Sequence, residues 1–204
     1  MLASEAITQF ELQVDDTSEL SSSEELSLLN DVIQSTGFSR TWNILKTSAS
    51  GTAVANEITL PADFAYIYAN RNWASNAVES QKPVIFIGTE YKPYVVLNFD
   101  ERRQYRNSQG YAYLDMANNK IIFNQTPESS TYEFDYIKTV AQVGLADELP
   151  FPARFHKKFV HDMAMLDNII QMSDKAGNNI EANRAESMRY QNAMNMWDSK
   201  LTIL

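Results

Sequence analysis

The spacing of hydrophobic residues changes twice along this chain, and that change limits the folds open to it. Near the start and again beyond residue 152, apolar residues recur at helical intervals. Between Thr52 and Val140, short runs of aromatic and β-branched residues alternate with turn residues. Neither an all-helical nor an all-β chain has this pattern. The class expected is α+β, with four helices bracketing one antiparallel sheet region.

The first helix is expected from Ser4, a candidate N-cap, to Val14, with Ile7, Phe10 and Val14 on one face and Asp15-Asp16-Thr17-Ser18 ending it. Ser22-Ser23-Glu24-Glu25 has the capping-box pattern, Ser22 bonding the Glu25 amide and Glu25 reaching back. Leu26, Leu29 and Ile33, flanked by Leu28 and Val32, then form a wide stripe, and Gly37 stops or bends the run. The strands are expected at 57–60, 65–70, 83–87, 94–99, 111–116, 120–124 and 131–137. In the last of these, Tyr132, Phe134 and Tyr136 alternate with Glu133 and Asp135, which is the period of a sheet covered on one face. Asn118-Asn119 and Thr126-Pro127-Glu128-Ser129 mark tight connections, because Asn tolerates positive φ and Pro fixes its own. Beyond Leu149-Pro150-Phe151-Pro152, a third helix carries Phe155, Phe159, Met163, Leu166 and Ile170 on one stripe. The stretch 173–179, with Gly177-Asn178-Asn179, is expected to break it. A fourth helix follows from about Glu181, with Tyr190, Ala193, Met194, Trp197 and Leu201 in step.

Composition removes several kinds of chemistry. The formal charge of -9 opposes sequence-independent binding along a phosphate backbone, which depends on Lys and Arg displacing counterions. The absence of cysteine excludes disulfides, thiolate metal sites and cysteine nucleophiles. Met1-Leu2-Ala3-Ser4-Glu5 has neither a basic nor an apolar leader region, and no apolar run is long enough for a bilayer, so no membrane contact is expected. His156 and His161, five residues apart, fall on different sides of a helix, unlike the i,i+4 pair of a zinc helix. No glycine-rich phosphate cradle and no Gly-x-Ser-x-Gly elbow occurs. The adjacent acids Glu24-Glu25, Asp100-Glu101 and Asp147-Glu148 read as caps and solvated loops. Asp100-Glu101-Arg102-Arg103-Gln104-Tyr105-Arg106 is a mixed-sign cluster suited to solvation or protein contact. The methionines at 163, 165, 172, 188, 194 and 196 read first as core filling. No catalytic residue, cofactor or metal is expected.

Three phrases carry a resemblance that spans nearly the whole chain. They are Ala6-Ile7-Thr8 through Leu28-Leu29-Asn30, then Ile58-Thr59-Leu60-Pro61-Ala62-Asp63-Phe64, then Leu149-Pro150-Phe151-Pro152-Ala153-Arg154-Phe155-His156. In order and spacing they resemble the head-to-tail adaptor (connector) proteins beneath the portal of tailed bacteriophages, including the tubular adaptors of short-tailed phages. The stretch Asn70 to Lys82 is longer and less apolar than that family's pattern, and the tail after Trp197 is short. The resemblance implies a four-helix bundle with an inserted antiparallel β domain, divided as 1–50, 51–146 and 147–204. It also implies a ring of about twelve copies in the virion neck that touches the portal, tail-tube or hub proteins and its own copies. Genomic DNA would pass through without specific binding, repelled by an acidic wall.

For partner contact the expected residues are Trp197, Leu201, Ile203 and Leu204, an apolar finish, set against the plainer reading that Trp197 and Leu201 complete the helical core and the end frays. Two other functions are weighed. A carbohydrate or small-ligand module would use Tyr91, Tyr94, Tyr105, Tyr111 and Tyr113 as an aromatic platform and leave several rings exposed side by side. A cell-wall hydrolase would hold one acid of raised pKa in a deep cleft.

Overall fold

The computed structural model describes residues 1–14, 20–68, 82–171 and 176–200, and for 170, 171 and 176–179 the backbone alone. The Asp15 to Ser18 turn, nearly all of the Asn70 to Lys82 stretch, and Leu201, Ile203 and Leu204 lie outside the described residues. The protein is α+β and divides into two compact units, one of residues 1–44 with 140–204 and one of residues 45–139.

The first unit contains α1 (Ala3–Val14), α2 (Ser22–Phe38), α3 (Lys157–Gln171) and α4 (Ala176–Lys200). Ile7, Phe10, Leu29, Val32, Ile33, Phe159 and Met163 are buried, so α1 to α3 turn their expected stripes inward, whereas on α4 Met194 is buried beside the polar Asn183, Ser187 and Asp198 and Ala193 is exposed. α3 packs against all three other helices. Three local expectations need correction. The cap of α2 is one residue earlier than expected: the Glu24 carboxylate accepts from the Ser21 amide at 2.8 Å and from the Ser21 hydroxyl at 2.6 Å, which leaves Glu25 to be buried. At α1 it is Glu5, not Ser4, that serves the entrance, accepting from the Leu2 amide at 2.9 Å. Gly177-Asn178-Asn179 lies inside α4, its polar residues having been read as a break.

α2 runs one residue past Gly37 and ends at Phe38. A Cβ on Gly37 would meet the Val140 Cγ2 methyl at 2.6 Å, so glycine is needed for close approach of α2 to the segment leaving the sheet.

The second unit is an eight-stranded sheet: β1 (Lys46–Thr52), β2 (Glu57–Thr59), β3 (Phe64–Ile67), β4 (Val84–Ile87), β5 (Lys92–Leu97), β6 (Tyr111–Asp115), β7 (Lys120–Phe123) and β8 (Thr131–Lys138). The order is β1-β8-β4-β5-β6-β7-β2. β8 is long enough to take β1 along one edge and β4 then β3 along the other. Ile58, Phe64, Ile85, Tyr94, Ala112, Ile121 and Phe134, one from each of β2 to β8, meet in a single core, so the sheet curls around its apolar face. Asn119 at φ 55° makes the β6–β7 turn, as its side chain allows.

The sheet is not wholly antiparallel. β5 and β6 run parallel, Val95 beside Tyr111 and Leu97 beside Tyr113. The connection 98–110, with a 3-10 turn at Glu101–Arg103, is long enough to carry the chain back to the same end of the sheet, as a parallel pair requires.

Candidate docking surface

Trp197 sits half-buried near the end of α4 against a short 3-10 turn, Ala153–Phe155. Its ring lies 5.7 Å from that of Phe155, and the Arg154 guanidinium stands 4.8 Å from the Phe155 ring and 5.5 Å from Trp197. Trp197 therefore closes the helical core and offers only part of its ring outward. Its neighbour Asp198 is fully buried and accepts from the Asn43 amide at 2.8 Å, the Ile44 amide at 3.3 Å, the Asn43 side chain and Arg40. These bonds fasten this turn of α4 to the segment after α2. An acid at this position reads as an ordinary surface residue in sequence, because its donors lie more than 150 residues away.

A second polar network ties three helices together. Lys158 of α3, 5% exposed, donates to the Thr36 hydroxyl of α2 at 3.0 Å and pairs with Asp162, which also accepts from Ser187 of α4. Nearby, Gln13 of α1, His161 and Asn183 of α4 share hydrogen bonds, with His161 Nδ1 3.1 Å from the Asn183 Oδ1 and its ring stacked on Tyr190. His156 is buried just before α3 and is hydrogen-bonded through Nε2 to the Phe151 carbonyl at 2.8 Å. Burial is the chief cause that holds its pKa below the usual histidine value. The two histidines thus serve separate packing networks. Among the described residues no group of three His, Asp or Glu could hold a metal.

The loop into α3 carries local strain. Phe151, between two prolines, has φ 69°, a region that costs a bulky residue about 1–3 kcal/mol. Its ring is held 5.3 Å from Trp42 and 6.1 Å from Phe159, so aromatic packing offsets the strain.

The tyrosines do not form a platform. Tyr94 is in the β core, Tyr105 and Tyr111 stack on each other at 4.4 Å, Tyr113 lies beneath Arg102, and exposed Tyr91 turns its edge to Phe86. The paired acids are not set in a cleft as a catalytic pair. Glu24 serves the α2 cap, Glu101 is bound to Lys82 at 2.9 Å, and Asp147 accepts from the Gly144 amide at 2.7 Å. Glu25 is the exception in burial: removal from water, then the charge of Glu11, push its pKa up. It lies among packed helices, where α1 and α3 supply its neighbours Glu11 and Asp167. The mixed-sign cluster, legible in sequence as suited to solvation or protein contact, gathers its arginines on one side. Arg102, Arg103 and Arg106 line a cleft of about 350 Å3 in the β unit, together with Tyr113, Phe123 and Asn124.

What the geometry offers is surface and fastening, with exposed apolar side chains such as Leu12, Phe38, Phe99 and Met196 spread over both units. No helix among the described residues is long and apolar enough to cross a membrane. No curated protein matches the chain. A protein-family model described as SU10 adaptor protein matches residues 1–201, all but the last three positions. With the order of helices and strands above, that match places the chain in the SU10 adaptor family of bacteriophage structural proteins.

Proposed function

We propose that this protein is a head-to-tail adaptor that assembles as a ring of about twelve copies, binds the portal on one side and tail-tube or hub proteins on the other, and continues the DNA channel in the virion neck. The family match over residues 1–201 carries the reading. The division into a helical unit made from both chain ends and a β unit made from the segment between them supports the implied architecture, a helix bundle with an inserted β domain. On this reading the domains run 1–50, 51–146 and 147–204, and the role is structural, with no chemistry performed. Closed rings need lateral faces that complement one another on every copy. A net charge of -9 suits a channel wall that repels passing DNA. The end of the chain, Trp197 with Leu201, Ile203 and Leu204, is the proposed contact for a partner.

The test is mass photometry of the purified chain, alone and with the portal protein of the same genome. A discrete complex carrying many copies of the chain is expected. A chain that stays single beside an intact portal would overturn the reading. Truncation after Lys200 is expected to weaken portal loading without lowering the melting temperature; unchanged loading would remove the terminal residues from the interface.

A further inference from the structure

No acid lines the arginine cleft of the β unit among the described residues, although Arg102 acts through space on Asp115. Arg102, Arg103 and Arg106 line it, and among the described residues none of the three forms an ion pair, while adjacent Glu101 is engaged by Lys82 at 2.9 Å. The segment that bears them is held in place. The Asn124 side chain donates to the Tyr105 carbonyl at 2.8 Å, the Tyr105 ring stacks on Tyr111, and the Arg102 guanidinium lies 3.4 Å from the Phe99 ring centre and 5.4 Å from that of Tyr113. Guanidinium groups are always charged, weakly hydrated and shaped to take a carboxylate with two parallel hydrogen bonds. A held cluster of three, with an aromatic wall, is therefore suited to an anionic partner group.

Charge is distributed unevenly between the two units. The helical unit contains 16 acids and 8 bases, a net of -8, whereas the β unit contains 10 acids and 9 bases, a net of -1. We propose that the arginine cleft of one copy receives carboxylates on the helical unit of a second copy. This contact rests on the ring reading above. A ring repeats one heterologous contact, which needs two different and complementary faces on each copy, and these two are opposite in sign. Complementary charge would fix the register of neighbours and speed their encounter. DNA phosphate is the competing anion. It is disfavoured by the overall charge of -9 and by arginines gathered in one cleft where duplex binding spreads bases along the backbone.

The experiment compares the full chain with Arg103→Glu/Arg106→Glu and with the neutral Arg103→Gln/Arg106→Gln. Both residues are exposed and form no ion pair among the described residues, so unchanged melting curves are expected. Loading onto the portal of the same genome is followed by mass photometry. We expect the Glu variant to need about tenfold more protein or greater for multi-copy loading, the Gln variant to fall between, and salt to weaken the wild type in the same direction. Equal loading by all three chains would overturn the contact while leaving the ring intact. If the wild type loads no more than a single copy, the ring reading fails and this contact with it. Anisotropy of a labelled 20-base-pair duplex at low salt separates the competing anion: wild-type binding lost in both variants would reassign the cleft to phosphate and overturn the proposal.

Discussion

The two units of this protein are held together by different means. All nine buried polar or charged side chains among the described residues, from Glu25 and Thr36 to Ser187 and Asp198, belong to the helical unit. The β unit buries apolar and aromatic side chains, and a rare polar tether there is a Tyr136 hydroxyl donating to Asp63 at 2.9 Å. Burial, then that bond, pushes the Tyr136 pKa up to about 12. The reason for the contrast lies in what sets register. In a sheet, backbone hydrogen bonds align the strands, and a slip of one residue would turn every side chain to the wrong face. Helices satisfy their own backbones, so apolar stripes can slide or rotate against one another. Side-chain networks such as Thr36–Lys158–Asp162–Ser187 then specify one packing.

The comparison can be broken first where each unit is most dependent. Phe134 is 1% exposed between the rings of Tyr132 and Tyr136, and Phe134→Ala is expected to cost about 3–5 kcal/mol. Hydrogen exchange followed by mass spectrometry should show lost protection in residues 45–139 ahead of the helices; uniform loss would mean that the units do not open separately.

Asp162→Ala leaves Lys158 buried without its charge partner and is expected to cost about 3 kcal/mol or more in chemical denaturation. The double change Lys158→Met/Asp162→Leu should recover most of that loss. If the double variant is as unstable as the single one, the network supplies stability and not merely specificity.

Gly37→Ala tests close approach inside the helical unit. The new methyl would press on Val140, a stiff β-branched neighbour, and a loss of about 1–3 kcal/mol is expected in thermal melts. A neutral or stabilising result would show that the segment after β8 yields freely.

The smallest expected effect concerns pH. Glu25 has a raised folded-state pKa, so between its unfolded value and its higher folded value the folded protein binds more protons, and stability falls as pH rises through that window. Glu25→Gln should therefore gain stability at neutral pH and flatten that slope. His156 acts oppositely. Its lowered pKa means the unfolded chain takes up a proton first, and stability from this group is lost as pH falls below the unfolded value. Melts across the acidic range for wild type and Glu25→Gln separate the two contributions. An unchanged slope in the variant would deny Glu25 its part.

Much of the architecture is legible in residue spacing. The stripes of α1 to α3 and the alternation Tyr132, Phe134, Tyr136 predict both the elements and which faces are buried. β1 escaped that reading because Lys46 to Thr52 is a run of small and polar residues without alternation; it is a strand because β8 offers it a complete edge from Thr131 to Ile137. The parallel β5–β6 pair escaped for a related reason, since strand direction depends on where a connection returns. Trp197 was foreseen as an apolar residue at the end of the last helix, but not its place over Phe155 beside Arg154.

Sequence alone determined the α+β class, the helical faces, the acidity, and the family, because those depend on local periodicity, composition and the order of short phrases. Tertiary structure alone decided which charges are spent and which remain. Asp198, Lys158 and Glu101 find partners far along the chain or around a turn, while Arg102, Arg103 and Arg106 collect in one cleft and form no ion pair among the described residues. Pairing depends on distances through space, and a residue's neighbours in sequence do not set them.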